Sequence, residues 1–436
     1  MFINRFLKAL VAVASLASLQ VQAGVHIQQW QTSNGAEVYF VENHDLPIID
    51  LSVNFSAGNA RDDQPKAGVA GMTRYLMTLG AAGLSDEVIA QRLAEVGAQL
   101  GGDIDSDMAS FKLRSLSSAP EFEKALGIYT KILQKPDFPE AVLTREKSRV
   151  IASLKEAATQ PASIASDAFM KALYGSHPYG LESTPETVAP IKREDLQKFY
   201  ANYYGAKGAV IALIGDISRD QAEKIAERLS SGLPSAEKPA AIPEVVYPEQ
   251  ASEERIAHPA KQSHILLGYP GVKRGDADYF PLYVGNYILG GGGFVSRLTE
   301  EVREKRGLVY SVYSYFLPMA QLGPFQIGLQ TKREQSDDAL KLVRETLANF
   351  INKGVTESEL KAAKQNITGG FPLRLDSNAK ILDYLAVIGF YKLPLTYLDD
   401  FNEQINKVTA AQINDAFSRR VNPDKMVTVI VAGGAN

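Results

Sequence analysis

The 436-residue chain contains no cysteine, one tryptophan and five histidines. Zero cysteines exclude a disulfide framework, a thiolate metal site and a thiol nucleophile. Stability must then come from buried apolar surface, which a chain of this length can supply. The histidines are His26, His44, His177, His258 and His264. A zinc site on a helix needs two ligands at i and i+4, so that both imidazoles share one face. No pair has that spacing; the nearest two, His258 and His264, are six apart. His177 lies in the turn-like run Ser176-His177-Pro178-Tyr179-Gly180 and reads as structural. No Gly-x-Ser-x-Gly elbow occurs, so the usual signal of a serine hydrolase is missing. Long apolar runs are missing too: Ala9–Leu19 is eleven residues, too short to span a bilayer, and no later stretch is long enough. There is no basic tract beyond short pairs. The 46 Lys and Arg are scattered among 50 Asp and Glu, which argues against nucleic acid as a partner.

What is present reads as a soluble globular protein, 45% hydrophobic and 22% charged. The length suggests two to four domains. Arg5 and Lys8 precede the apolar run, and Val21-Gln22-Ala23 matches a small-residue cleavage site. Residues 1–23 are therefore expected to be a signal peptide, and the mature chain to be periplasmic or secreted. Removing Arg5 and Lys8 leaves 44 basic against 50 acidic side chains, a net charge of −6.

Alternating β-like runs are expected at Val25–Trp30, Ala36–Glu42 and Ile48–Phe55, with Thr32-Ser33-Asn34-Gly35 as a turn. Helical patterns follow at Gly68–Leu79 and Ser85–Val96, then a strand at Met108–Leu116, helices from Pro120 to Leu173, and a helix–strand pair over Glu194–Ile214. Ser231–Gln250 holds four prolines and has the composition of a linker. After it the order repeats. Gln262–Tyr269 resembles Ile49–Phe55, Ala339–Ile367 resembles Ala125–Leu154, and Gln412–Val431 resembles Glu194–Ile214, at an offset of about 215 residues. The expected class is α+β: two homologous sandwich domains, residues 24–230 and 251–436, joined by 231–250. Each is expected to be a mostly antiparallel sheet covered by helices.

The stretch Gly290–Tyr310, GGGGFVSRLTEEVREKRGLVY, is the densest in chemical signals. Four glycines permit close backbone approach. Phe294, Leu298 and Val302 recur at helical spacing, predicting a helix from about Phe294 to Arg306, and Gly307 stands where a C′ residue belongs. Arg303 near the helix end and Tyr310 on the departing strand can both donate to one carbonyl oxygen, as a peptide-handling site requires. The bland alternatives are an i, i+3 surface pair of Arg303 with Glu300 and packing of Tyr310 beside Tyr313 and Tyr315.

On these residues the chain resembles the pitrilysin/insulinase-like zinc metallopeptidases, of the two-domain type related to mitochondrial processing peptidases. The resemblance covers nearly the whole mature chain. It implies subunits that close in pairs around an unfolded peptide, each forming half of a clamshell. Active members carry His-x-x-Glu-His on the first-domain helix and a distal glutamate ligand. The matching stretch is Gly68-Val69-Ala70-Gly71-Met72-Thr73-Arg74-Tyr75-Leu76. Gly71 and Tyr75 stand at the histidine positions and Arg74 at that of the catalytic glutamate. The distal glutamate is expected near Val150–Leu154, where Ala152 and Ser153 cannot ligate zinc. A guanidinium cannot take a proton from water and repels Zn²⁺. No metal or other cofactor is therefore expected in this chain.

Arg303 and Tyr310 fall on the Arg/Tyr pair with which family members polarise the substrate carbonyl. Gly290, Gly291, Gly292 and Gly293 fall on a substrate-contacting glycine-rich loop. The resemblance implies a subunit that is inactive alone and completes a heteromeric zinc endopeptidase. A homologous partner would bring His-x-x-Glu-His and zinc, and the substrate would be unfolded peptide. A catalytically inert peptide-binding or scaffold protein on the same fold is the alternative.

Overall fold

Strand β2 (Glu37–Glu42) shows how the first half is organised. Val38 and Phe40 point into one apolar cluster, Tyr39 and Val41 into another, so both faces of the strand are covered. The computed structural model describes residues 24–432, and the expected signal peptide lies outside them. Its first sheet comprises β1 (Gln28–Gln31), β2, β3 (Ile48–Phe55), β4 (Gln99–Gly101), β5 (Ala109–Leu116) and β6 (Val210–Gly215). Their order is β1-β2-β6-β3-β5-β4, antiparallel except for the β2–β6 pair.

The second sheet comprises β7 (Ser252–Ala257), β8 (Gln262–Val272), β9 (Val309–Phe316), β10 (Gly323–Lys332) and β11 (Val427–Ala432). Its order is β9-β10-β8-β11-β7, antiparallel except for β7–β11. Read from the parallel pair outward, the two sheets have the same topology. Two helix-covered, mostly antiparallel sheets are what the repeat predicts.

The helices that matter for the site are α1 (Val69–Leu76), α2 (Asp86–Glu95), α3 (Ala119–Gln134), α4 (Glu140–Ala157) and α5 (Pro161–Tyr174) in the first half. They are followed by α6 (Arg193–Tyr203) and α7 (Arg219–Ser231). The second half contains α8 (Tyr279–Asn286), α9 (Ser336–Lys353), α10 (Glu357–Gly370), α11 (Asn378–Tyr391), α12 (Tyr397–Lys407) and α13 (Ala410–Arg420). One face of each sheet is covered by helices of its own half. The other face is covered by a helix from the opposite half.

Helix α5 packs Ala165, Phe169 and Leu173 against Leu266 and Val427, Val429 and Val431 of the second sheet. Helix α11 lies on the first sheet, placing Leu382, Leu385 and Ile388 in one cluster with Tyr39, Val41, Val210, Ala212 and Ile214. Gly389 sets the approach: a Cβ there would stand 2.6 Å from both Tyr39 Cε2 and Val210 Cγ1. The exchange also explains the unbroken apolar run of β6, since a strand buried on both faces has no polar side.

Between α7 and β7, residues 232–251 carry no helix or strand. Side chains from both halves strap this segment down. Arg61 Nη1 donates to Ala240 O at 2.8 Å and Gln321 Nε2 to Ile242 O at 3.0 Å. His177 Nε2 lies 2.9 Å from Pro243 O while its Nδ1 accepts from Tyr179 N, which fixes the Nε2–H tautomer and the structural role expected of it. Close by, the buried Asp107 carboxylate accepts from the hydroxyls of Tyr179 (2.5 Å) and Tyr391 (2.9 Å) and from Ala320 N (2.7 Å). Donors from both halves converge on that one anion.

Candidate functional site

In the first half, α1 begins at Gly68, whose φ of +110° only glycine adopts freely. The Asp62 carboxylate accepts from Gly68 N and Ala70 N, both at 2.7 Å, at the positive end of the helix. Burial still pushes its carboxyl up to about 6. The helix then places three residues of interest. Gly71 leaves space: a Cβ there would meet nothing nearer than Asn59 Oδ1, at 4.0 Å. Arg74 turns toward the sheet, donating through Nε to Ser110 O (3.2 Å) and through Nη2 to Gly101 O (3.1 Å), with its guanidinium 5.1 Å from the Phe111 ring centroid. Tyr75 projects outward, and its hydroxyl meets Glu146 Oε2 of α4 at 3.4 Å.

Glu146 is the residue that sequence reasoning missed. The expected distal region was Val150–Leu154, but Ala152 and Ser153 are exposed on α4, and Glu146 faces Tyr75 instead. Its side chain is 3% exposed, closed off by Arg145 Nε at 2.6 Å and Arg149 Nη1 at 2.9 Å. Burial raises its carboxyl, but the two guanidinium hydrogen bonds outweigh that and hold it below the usual range. Arg145 also reaches Asp86 of α2 at 2.7 Å. The signal available in the sequence was Arg149 three residues after Glu146 on α4, since i and i+3 residues are neighbours.

In the second half the glycine run is helical rather than a loop. A π-helical turn covers Tyr287–Gly291 and a 3₁₀ turn Gly293–Val295. A Cβ at Gly290 would stand 2.4 Å from Ser314 Oγ and 2.7 Å from Ser314 N, so the turn sits directly on β9. Asn286 fixes the contact, donating to Ser314 O at 3.0 Å and accepting from Ser314 Oγ at 2.7 Å. Gly290 is thus buried, while Gly291 and Gly293 are exposed.

The helix expected from Phe294 to Arg306 is shorter. Ser296 is extended, and a π-helix runs over Thr299–Glu304. Leu298 and Val302 are fully buried as the stripe predicts, but Phe294 is 72% exposed because the break at Ser296 rotates it off that face. Gly307, at φ +62°, ends the turn by donating to Arg303 O at 2.8 Å, as a C′ glycine does.

Arg303 and Tyr310 flank this turn. The Arg303 guanidinium lies 5.0 Å from the Phe294 ring centroid, and its nearest acid is Glu304 at 3.8 Å. The expected alternative pairing with Glu300 is not made; Glu300 binds Lys305. Tyr310 is 51% exposed, where the β9–β10 register shifts between Val309 and Ser311. No hydrogen bond joins Arg303 to Tyr310, and none joins either to Gly71, Arg74 or Tyr75 among the described residues. A half-exposed cation and a half-exposed phenol on neighbouring elements can donate to an oxygen presented from outside. They hold no nucleophile and no base.

Two topologically matched halves, each sheet roofed by a helix of the other, define a repeat protein of the two-domain metallopeptidase fold. The profile described as insulinase (peptidase family M16) matches residues 38–184, and that of the peptidase M16 inactive domain matches residues 190–367. A crystal structure of a peptidase M16 inactive domain from Pseudomonas fluorescens superimposes with a TM-score of 0.91 and 40% identity, over 94% of this chain and 98% of that one. The non-peptidase homolog YmxG of Helicobacter pylori is 27% identical over 98% of both chains. An uncharacterized zinc protease, YmxG of Bacillus subtilis, is 26% identical over 94% of this chain and 99% of its own. The chain belongs to the M16, or insulinase, peptidase family, and its sequence contains no His-x-x-Glu-His.

The donor set does not fit the zinc of that family. Gly71 offers no ligand, Tyr75 offers a phenol that burial and Glu146 hold protonated, and Arg74 is a cation. Glu146 is already shared by two guanidinium groups. Among the described residues no group of three or more His, Cys, Asp or Glu is placed to hold a metal ion.

Proposed function

We propose that this chain is the non-metal-binding subunit of a heteromeric zinc endopeptidase of the periplasm. It would meet a homologous zinc-bearing subunit across a closed chamber and hold unfolded peptide there. Arg303 and Tyr310 would stabilise the oxyanion of the tetrahedral intermediate, and the accessible glycines Gly291 to Gly293 would contact the substrate backbone. Residues 1–23 support export.

The observation that carries this reading is an asymmetry of engagement. Arg74 and Glu146, in the degenerate first-half site, are consumed by structural partners. Arg303 and Tyr310 are accessible, and Arg303 has no acid nearer than 3.8 Å. Prepositioned donors of this kind act on charge that develops only in the transition state.

Purified alone, the chain should retain no stoichiometric zinc and leave unstructured peptides intact. Co-purification from the native source should bring down a homologous chain with His-x-x-Glu-His, and the mixture should cleave. In that mixture Tyr310→Phe should lower kcat by roughly 10²–10³-fold, about 2.7–4 kcal/mol of barrier, with little change in KM. Unchanged turnover in both Tyr310→Phe and Arg303→Ala mixtures would favour the inert scaffold.

A further inference from the structure

A cavity of about 290 Å³ in the second half lies outside everything described above, between the β8–α8 connection and the start of α12. Its wall combines aromatic rings with charged side chains of both signs. Tyr279, Phe280 and Tyr397 form the apolar side, and Arg274 and Asp400 also line it.

Neither charge is neutralised by the described residues. The Arg274 side chain makes no hydrogen bond or ion pair among them, and its Nε is buried without an acceptor. The Tyr391 ring stands 5.5 Å from the guanidinium carbon and offers a π face rather than a counter-charge. A guanidinium presents five donors, and burying one unmet is costly, the more so in a charged group. The Asp400 carboxylate accepts the Thr396 hydroxyl, at 2.6 Å through Oδ2, and has no cationic partner among the described residues. The other acid on the wall, Asp276, is already paired with Arg420 at 2.9 Å. Arg274 and Asp400 line one cavity yet do not meet, so the space between them keeps two complementary charges apart.

We propose that this cavity binds a free α-amino acid with an apolar or aromatic side chain. The carboxylate would take the Arg274 donors, which suit the planar geometry of that group. The ammonium would face Asp400, and the side chain would lie against Tyr279, Phe280 and Tyr397. A zwitterion satisfies both charges at once. A simple carboxylate would leave Asp400 unmet beside it, and an amine would leave Arg274 unmet.

The test is thermal stabilisation of the mature chain by L-phenylalanine, L-tyrosine and L-leucine at up to about 10 mM. L-Phenylalaninamide, which lacks the carboxylate, and N-acetyl-L-phenylalanine, which lacks the ammonium, serve as probes. The free amino acids should raise the midpoint, and both analogues should bind at least about tenfold more weakly. Arg274→Gln should erase the preference over the amide, and Asp400→Asn the preference over the N-acetyl compound. Should Arg274→Gln fail to fold, Asp400→Asn with the two analogues still decides. No stabilisation by any free amino acid, or equal affinity for the free and N-acetyl forms, overturns the proposal.

Discussion

Replacing Gly389 with alanine tests whether the two halves are one cooperative unit. Taken alone, α11 should welcome the change, because alanine is favoured over glycine in a helix interior by about 0.8–1.0 kcal/mol. The added methyl, however, would stand 2.6 Å from Tyr39 Cε2 and Val210 Cγ1 of the opposite half. Both neighbours are nearly inaccessible, at 2% and 3%, and sit on strands that cannot easily withdraw. Overpacking of this kind costs about 1–3 kcal/mol, so the net effect should be a loss of up to about 2 kcal/mol. The sign is therefore diagnostic: gain if α11 merely rests nearby, loss if it is seated. Trp30, the single tryptophan, reports on the first half, with the Arg219 guanidinium 3.6 Å from its ring centroid. Urea unfolding followed by Trp30 fluorescence and by far-UV circular dichroism should shift together to lower midpoints. A raised midpoint, or a Trp30 transition that stays put while the helical signal moves, would refute the exchange of helices as a source of cooperativity.

Arg74→Glu should destabilise the chain by about 2–4 kcal/mol, because it sets a carboxylate against the Ser110 and Gly101 carbonyls that Arg74 now ties; denaturation midpoints measure this. His44 is held above its ordinary pKa by hydrogen bonds to Asp216 and then Glu42. Its contribution is present below about pH 6.5 and lost as pH rises through the folded value, so His44→Gln should flatten the decline of stability above about pH 6.5. Glu359 is lowered to about 2, chiefly by the Arg297 guanidinium at 2.6 and 2.7 Å. That stability is present above roughly pH 4.3 and lost as pH falls toward the folded value, so Glu359→Gln should flatten the acid limb of a melting-temperature profile.

The fold was legible wherever a segment's own pattern decides its conformation. β3 and α6 fall within a residue or so of their expected spans, and the offset between halves reappears as matched sheet order. The helix exchange left no mark, because an apolar stripe such as Ala165, Phe169 and Leu173 of α5 shows that a helix packs but not which sheet it covers. The glycine run permits the close backbone approach expected of it at Gly290, which sits on Ser314; the sequence did not say which strand it would meet. Phe294 matched the helical spacing, but the extended Ser296 intervened, and nothing local to the sequence announces that break.

Arg74 and Glu146 show why the altered first-half positions are now part of the architecture. A glutamate in a water-activating role must keep its oxygens free. Arg74 instead spends two donors fastening β4 and β5, and it is buried enough that its guanidinium is depressed below the usual range. Glu146 joins α4 to α1 through Tyr75 and closes an ionic cluster that reaches α2 through Arg145 and Asp86. Contacts that fasten several elements are costly to reverse one residue at a time, since each reversion strands a buried partner before any new chemistry is gained. The second-half surface carries no such entanglement at Arg303 or Tyr310. A protein that had only to hold its shape could equally have tied those two side chains down, and their remaining accessible is what an external carbonyl would require.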